Sequence, residues 1–147
     1  MTIHGLLLDT NVLSELMRPQ PSPAVLAWFD ARQAERTPLL TSSITQAEVL
    51  LGIALLPAGR RRSGLAVAAA GLFDEDFGAD ACLPFDAAAA ADYAMLVAAR
   101  TARGRPISTE DGQIAAIALS RGLVLATRNG RDFDDITGLT VQDPWTD

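Results

Sequence analysis

Ile3-His4-Gly5-Leu6-Leu7-Leu8-Asp9-Thr10-Asn11-Val12-Leu13-Ser14-Glu15-Leu16-Met17 decides the fold class of this chain. The run from Ile3 to Leu8 is apolar apart from His4 and Gly5, as a strand buried on both faces would be. It stops at Asp9-Thr10-Asn11, three residues suited to capping a helix. Val12, Leu13, Leu16 and Met17 then recur at helical spacing, so a strand feeds directly into a helix. Arg18-Pro19-Gln20-Pro21-Ser22-Pro23 ends that helix in a stiff loop.

Working outward, the same alternation repeats. A second helix is expected from Ala24 to about Ala34, with Val25, Leu26, Trp28 and Phe29 on its apolar side. Leu39 to Ser42 reads as a short strand, followed by a helix that opens at Thr45-Gln46-Ala47-Glu48 and closes at Pro57-Ala58-Gly59. Arg60 to Phe77 is expected to be helical and Cys82 to Phe85 to be a brief strand. Asp86 is the expected N-cap of an Ala-rich helix ending near Gly104. A last helix spans Thr109 to Arg121 with Gly122 as its stop; Leu123 to Ala126 and Thr140 to Gln142 complete the strands. Strands alternating with helices predict an α/β fold, a parallel sheet covered by helices. With 147 residues, 49% of them apolar and 20% charged, and no internal repeat or linker, residues 1–147 form a single domain.

Composition narrows the function. Cys82 stands alone, so there is no internal disulfide and no Cys/His cluster for zinc, and a reducing cytoplasm is the expected compartment. Asp9, Asp86 and Asp92 interrupt the richest apolar stretches, and the N-terminus lacks the basic region of a signal peptide. The net charge of −6 argues against a polyanionic partner unless carboxylates converge on a cation that neutralises them locally. All twelve basic residues are arginine. With no lysine, the chemistry of haloacid-dehalogenase-like phosphatases and of receiver domains is excluded; Asn11 also stands where the former carry a second acid. No Gly-x-Gly-x-x-Gly follows the first strand, which excludes dinucleotide binding.

In open parallel sheets ligands bind beyond the carboxyl ends of the strands. That rule selects Asp9, the Ser43–Glu48 turn and the Thr127–Asp132 loop. Each has an ordinary structural reading: Asp9 caps a helix, Thr45-x-x-Glu48 is a capping box, and Ser108-x-x-Asp111 is cap-like. Thr127–Asp132 is a turn. Helical periodicity puts Asp111 at the start of the buried side and turns Glu110 about 100° away, which favours Asp111. Together, oxygen-only carboxylates suit a hard ion, Mg²⁺ or Mn²⁺, and phosphodiester hydrolysis.

Leu7-Leu8-Asp9-Thr10-Asn11-Val12-Leu13-Ser14-Glu15 resembles the opening of PIN-domain proteins, especially VapC/FitB-like toxins. Thr45-Gln46-Ala47-Glu48, Pro84-Phe85-Asp86, Ile107 to Ala116, Ala126-Thr127-Arg128-Asn129 and Asp143-Pro144-Trp145 follow in family order from end to end. The resemblance implies a PIN-like three-layer fold and a Mg²⁺- or Mn²⁺-dependent endoribonuclease. Its metal ligands would be Asp9, Asp111 and Glu48, supported by Thr10, Asn11 and Thr127. This chain departs from the stricter pattern at the fourth acid: Asn129 occupies one candidate position and Asp132 comes three residues later, so both stay open. The resemblance also implies a homodimer and a cognate VapB-type antitoxin that inhibits the enzyme. The pair would form a heterotetramer or larger assembly that meets operator DNA only through the antitoxin. Arg128 and Arg131 rank first as RNA contacts, and Arg100, Arg103 and Arg105 are further candidates. Arg60 to Arg62 read as solvated, His4 as a core or surface histidine, and Trp28 and Trp145 as packing residues. The competing expectation is a PIN-fold binding or scaffold protein whose catalytic site has decayed.

Overall fold

The computed structural model describes residues 5–147, so His4 and Ile3 of the expected first strand lie outside the described residues. Five parallel strands, β1 (Leu6–Leu8), β2 (Leu39–Ser42), β3 (Cys82–Leu83), β4 (Val124–Ala126) and β5 (Val141–Gln142), form one sheet in the order β3-β2-β1-β4-β5. Between them run α1 (Thr10–Leu16), α2 (Pro23–Ala34), α3 (Ser43–Ala54), α4 (Arg60–Ala70), α5 (Ala87–Ala102) and α6 (Thr109–Arg121).

Central strand β1 explains the three layers. Its side chains alternate across the sheet, as strand geometry requires. Leu7 packs with Leu96, Ile114, Ile117 and Leu125 beneath α5 and α6. Leu6 and Leu8 pack on the other face with Val12, Leu13, Trp28, Val49 and Ile53 from α1, α2 and α3. All three leucines are fully buried, and at roughly 2 kcal/mol for each buried aliphatic side chain this tripeptide anchors both cores.

Expected and observed elements differ most in three places. The helix from Arg60 stops at Ala70 and continues as a wide π-type turn over Gly71–Phe77. The third strand covers only Cys82–Leu83, because Asp86 already caps α5 by accepting from Ala89 N at 3.0 Å. The helix after β2 starts at Ser43, not at Thr45. Ser42, still extended at φ −133° and ψ 158°, is its N-cap and accepts from Thr45 N at 3.1 Å. Thr45 is therefore a buried first-turn residue, and Glu48 lies a turn further along, where no capping box can form.

Candidate metal centre

The carboxyl ends of β1, β2 and β4 and the start of α6 bring the candidate residues to one edge of the sheet. Asp9 follows β1 immediately and is 4% exposed. It is both a cap and a member of the site. Its Oδ1 accepts from Thr10 N at 2.8 Å, while Oδ2 accepts from the Thr127 hydroxyl at 2.7 Å and from Asn11 Nδ2 at 3.4 Å. Thr127 follows β4 directly and lies beside it because β1 and β4 are paired in register, Leu8 with Ala126. Asn11 closes the other side, its Oδ1 accepting from Arg128 N at 3.2 Å.

Glu48 reaches the same edge from α3. Its Oε1 accepts from the Thr10 hydroxyl at 2.8 Å, and Thr10 Oγ1 also stands 3.2 Å from Thr45 Oγ1. The glutamate is thus fastened to the residue next to Asp9, while the side chain itself stays exposed. Asp111 comes from the first turn of α6, which Ser108 caps by accepting from Asp111 N at 3.2 Å. It is half-buried whereas Glu110 is exposed, as the periodicity predicted. Gly112 lets α6 approach α5: a Cβ there would meet Tyr93 Cε2 at 3.0 Å and Val97 Cγ2 at 3.1 Å.

Electrostatics tie these acids together. The Asp9 carboxyl is pushed up from 3.8 to about 6, chiefly by burial, with the charges of Asp111 and Glu48 adding to it and the hydrogen bonds from Thr127 and Thr10 opposing it. Asp111 is also raised, first by burial and then by the charges of Asp132 and Glu110. The charge of Asp132 therefore reaches Asp111. Asn129 instead contributes its backbone N–H, which donates to Thr127 Oγ1 at 3.1 Å, and its side chain is exposed.

The donors are oxygen only, carboxylates with threonine hydroxyls behind them, and that set fits a hard divalent cation. Among the described residues no three Asp, Glu, Cys or His side chains are drawn tightly enough to enclose an ion as they stand. Glu48 is turned onto Thr10 and Asp9 onto Thr127.

A groove of about 640 Å³ opens beside Glu48, lined by Thr10, Asn11, Glu15, Arg61, Arg128 and Trp145 among others. The Arg128 guanidinium lies 4.8 Å from the centroid of the Trp145 ring, and Arg131 is exposed on the adjoining turn. Arg61 lines the groove too, although as one of three successive arginines it read as solvated. The other arginine candidates are engaged by the protein itself. Arg100 is 4% exposed, and Arg103 and Arg105 bind the 131–135 segment. Trp28 is buried and donates to Gln142, as a packing residue should.

Sequence reading missed two fixings. Ser42-x-x-Thr45 is a cap signal in plain view, eclipsed by Thr45-x-x-Glu48. Glu15, nearly buried, accepts from Ser22 N at 2.8 Å and pairs with Arg18; that backbone N–H, with Arg18, holds its carboxyl below the usual range. It ties the proline-rich loop to α1.

The fold is a five-stranded parallel α/β sheet that carries the buried Asp9, the half-buried Asp111 and the exposed Glu48 at one edge, a set of oxygen donors of the kind that suits a hard cation. The PIN domain pattern matches residues 6–139, and the chain belongs to the PIN-domain family, within its VapC/FitB-like group. It is 41% identical over 140 residues to VapC ribonuclease Y4jK of Sinorhizobium fredii, covering 95% of this chain and 97% of that one. It is 40% identical over 142 residues to Toxin FitB of Neisseria gonorrhoeae, covering 97% and 99%. The crystal structure of FitAcB from Neisseria gonorrhoeae superposes with a TM-score of 0.81 at 38% identity, over 96% of this chain and 99% of that chain. DNA-bound VapBC from Salmonella typhimurium gives 0.77 at 26% identity, over 97% and 99%. No helix among the described residues is long and apolar enough to cross a membrane.

Proposed function

We propose that this chain is the toxin of a VapBC-type toxin–antitoxin pair, an endoribonuclease dependent on Mg²⁺ or Mn²⁺. The observation that carries this reading is the buried Asp9 carboxylate, raised to about 6 and coupled to Glu48 and Asp111, at the sheet edge of a chain about 40% identical to a VapC ribonuclease and to FitB. Asp9, Asp111 and Glu48 would hold the cation, and Asp132, whose charge reaches Asp111, is favoured over Asn129 to complete the set. When bound, such an ion lowers the pKa of water and stabilises charge on a phosphoryl oxygen. Thr127 and Asn11 orient Asp9, Thr10 steers Glu48, and Arg128 and Arg131 take RNA phosphates at the rim.

The partner is a cognate VapB-type antitoxin, since the solved relatives are toxin–antitoxin complexes, several of them bound to DNA. Homodimerisation, inhibition by the antitoxin, operator contact through the antitoxin alone and a cytoplasmic setting belong to the same reading. The test is cleavage of a structured RNA with Mg²⁺ or Mn²⁺, wild type against Asp9→Asn. Cleavage by the wild type that is lost with chelator and lost in the variant is expected. Equal activity in both refutes the site, and no activity in either favours the decayed-scaffold reading.

A further inference from the structure

The least expected side chain in the molecule is Arg100. It follows Ala89, Tyr93 and Leu96 at helical spacing along α5, and so falls on the stripe that faces the core; it is 4% exposed. Burying a guanidinium is costly unless it is paired, ordinarily with a carboxylate. Arg100 has backbone carbonyls instead. Its Nε donates to Arg105 O at 2.8 Å, and one terminal nitrogen donates to Asp132 O at 3.0 Å and to Asp134 O at 2.8 Å. Two exposed neighbours grip the same segment: Arg103 donates to Asp135 O at 2.9 Å, and Arg105 donates to Asp135 Oδ2 at 2.7 Å and to Arg131 O at 3.4 Å.

This contact pattern dictates how the segment sits. The carbonyls of Asp132 and Asp134 turn inward to the guanidinium, and Phe133 between them is buried at 2% exposure. The side chains of Asp132 and Asp134 are left outside. A planar fork reaches both stretches of chain at once, and a lysine ammonium on its flexible stem lacks that geometry. We propose that Arg100, with Arg105 and Arg103 beside it, is a positioning residue that fixes where the Asp132 carboxylate stands in the loop that follows β4. The proposal rests on the metal-dependent reading above, and goes beyond it by assigning the fourth acid's placement to a buried cation on a different helix.

The test is Mn²⁺ binding by the full chain, read from the free-ion signal in electron paramagnetic resonance, for wild type, Arg100→Lys, Asp132→Asn and the double variant. Arg100→Lys is expected to weaken binding about tenfold, the scale seen when partners behind metal ligands are lost. The double variant should be no weaker than Asp132→Asn alone, because both changes remove one effect. RNA cleavage by Arg100→Lys should fall in kcat with KM unchanged and recover at high Mn²⁺, which a merely structural defect would not do. Wild-type affinity in folded Arg100→Lys, or effects that multiply in the double variant, overturns the proposal while leaving the metal site standing. A wild type that binds no Mn²⁺ overturns the metal site and the proposal with it. If Arg100→Lys does not fold, Arg105→Ala, made in an exposed side chain, takes its place. A severalfold loss of Mn²⁺ affinity there supports the clamp, and unchanged affinity overturns it.

Discussion

Asp9→Asn should alter stability in a pH-dependent way that follows from the site's construction. The Asp9 carboxyl is raised from 3.8 to about 6, chiefly by burial. The native state therefore holds a proton that the unfolded chain has released between those two values, and its stability falls as pH rises through the window. The shift is about 2 units, so at about 1.36 kcal/mol per unit the charged carboxylate costs the cation-free native state about 3 kcal/mol at neutral pH. Asparagine carries no such cost, although its single amide oxygen cannot accept at both the Oδ1 position, from Thr10 N, and the Oδ2 position, from Thr127 and Asn11; that loss, on the order of 1 kcal/mol, does not vary with pH. The assay is urea unfolding in chelator across the range from about pH 4 to pH 7, with the variant's stability subtracted from the wild type's. Glu15 and Asp86, which are lowered, act in both proteins and cancel. The difference should move against the wild type by about 3 kcal/mol as pH rises, and saturating Mg²⁺, at about 100 times its Kd, should return about 2.7 kcal/mol to the wild type alone. A difference that changes by less than about 1 kcal/mol over the window would refute the claim that this carboxylate is held charged against its burial.

Three further outcomes are expected. The Thr41 hydroxyl is fully buried on β2 with no partner, so Thr41→Val should stabilise the protein by about 1 kcal/mol in thermal or urea unfolding. In Gly112→Ala the new Cβ would meet Tyr93, whose ring is braced edge-on against Phe85 at 5.7 Å. Overpacking of about 1–3 kcal/mol should outweigh the roughly 1 kcal/mol gain in helix propensity, and a more stable variant would contradict this. Arg128→Ala should raise KM for RNA with little change in kcat and reduce the slope of log affinity against log salt by about 1; an unchanged slope would remove Arg128 from the phosphate contacts.

The architecture was legible in the sequence because its signals are local. A leucine triplet ending in aspartate, a glycine after α6 in the left-handed conformation and an aspartate before an alanine run each specify their own few residues. Asp111 could be preferred to Glu110 for the same reason, since helical phase is a local property. What escaped was long-range. Two cap patterns overlap in Ser42-Ser43-Ile44-Thr45-Gln46-Ala47-Glu48, and only the direct passage from β2 into α3 shows which one is used. Glu48 is released from capping by that choice and meets Thr10, 38 positions away. Arg100 fell on the buried stripe of α5, yet its acceptors lie up to 34 positions ahead and are backbone carbonyls, which no residue type announces.

The choice of groups around the acids bears on what the site is for. Twelve arginines are available, and among the described residues the ion pairs go to Glu15, Glu35, Asp86 and Asp135. Asp9, Glu48 and Asp111 receive hydroxyls and an amide instead, from Thr127, Asn11, Thr10 and Ser108. A guanidinium beside Asp9 would lower its pKa and remove most of the 3 kcal/mol cost, but it would also satisfy the charge that a divalent ion needs. Neutral donors orient a carboxylate and leave its charge uncompensated. Selection for stability alone would favour pairing these acids or replacing them by apolar side chains. Neutral partners are what a site requires when the compensating charge is to arrive from solution, and the stability lost in its absence becomes part of the free energy with which it binds.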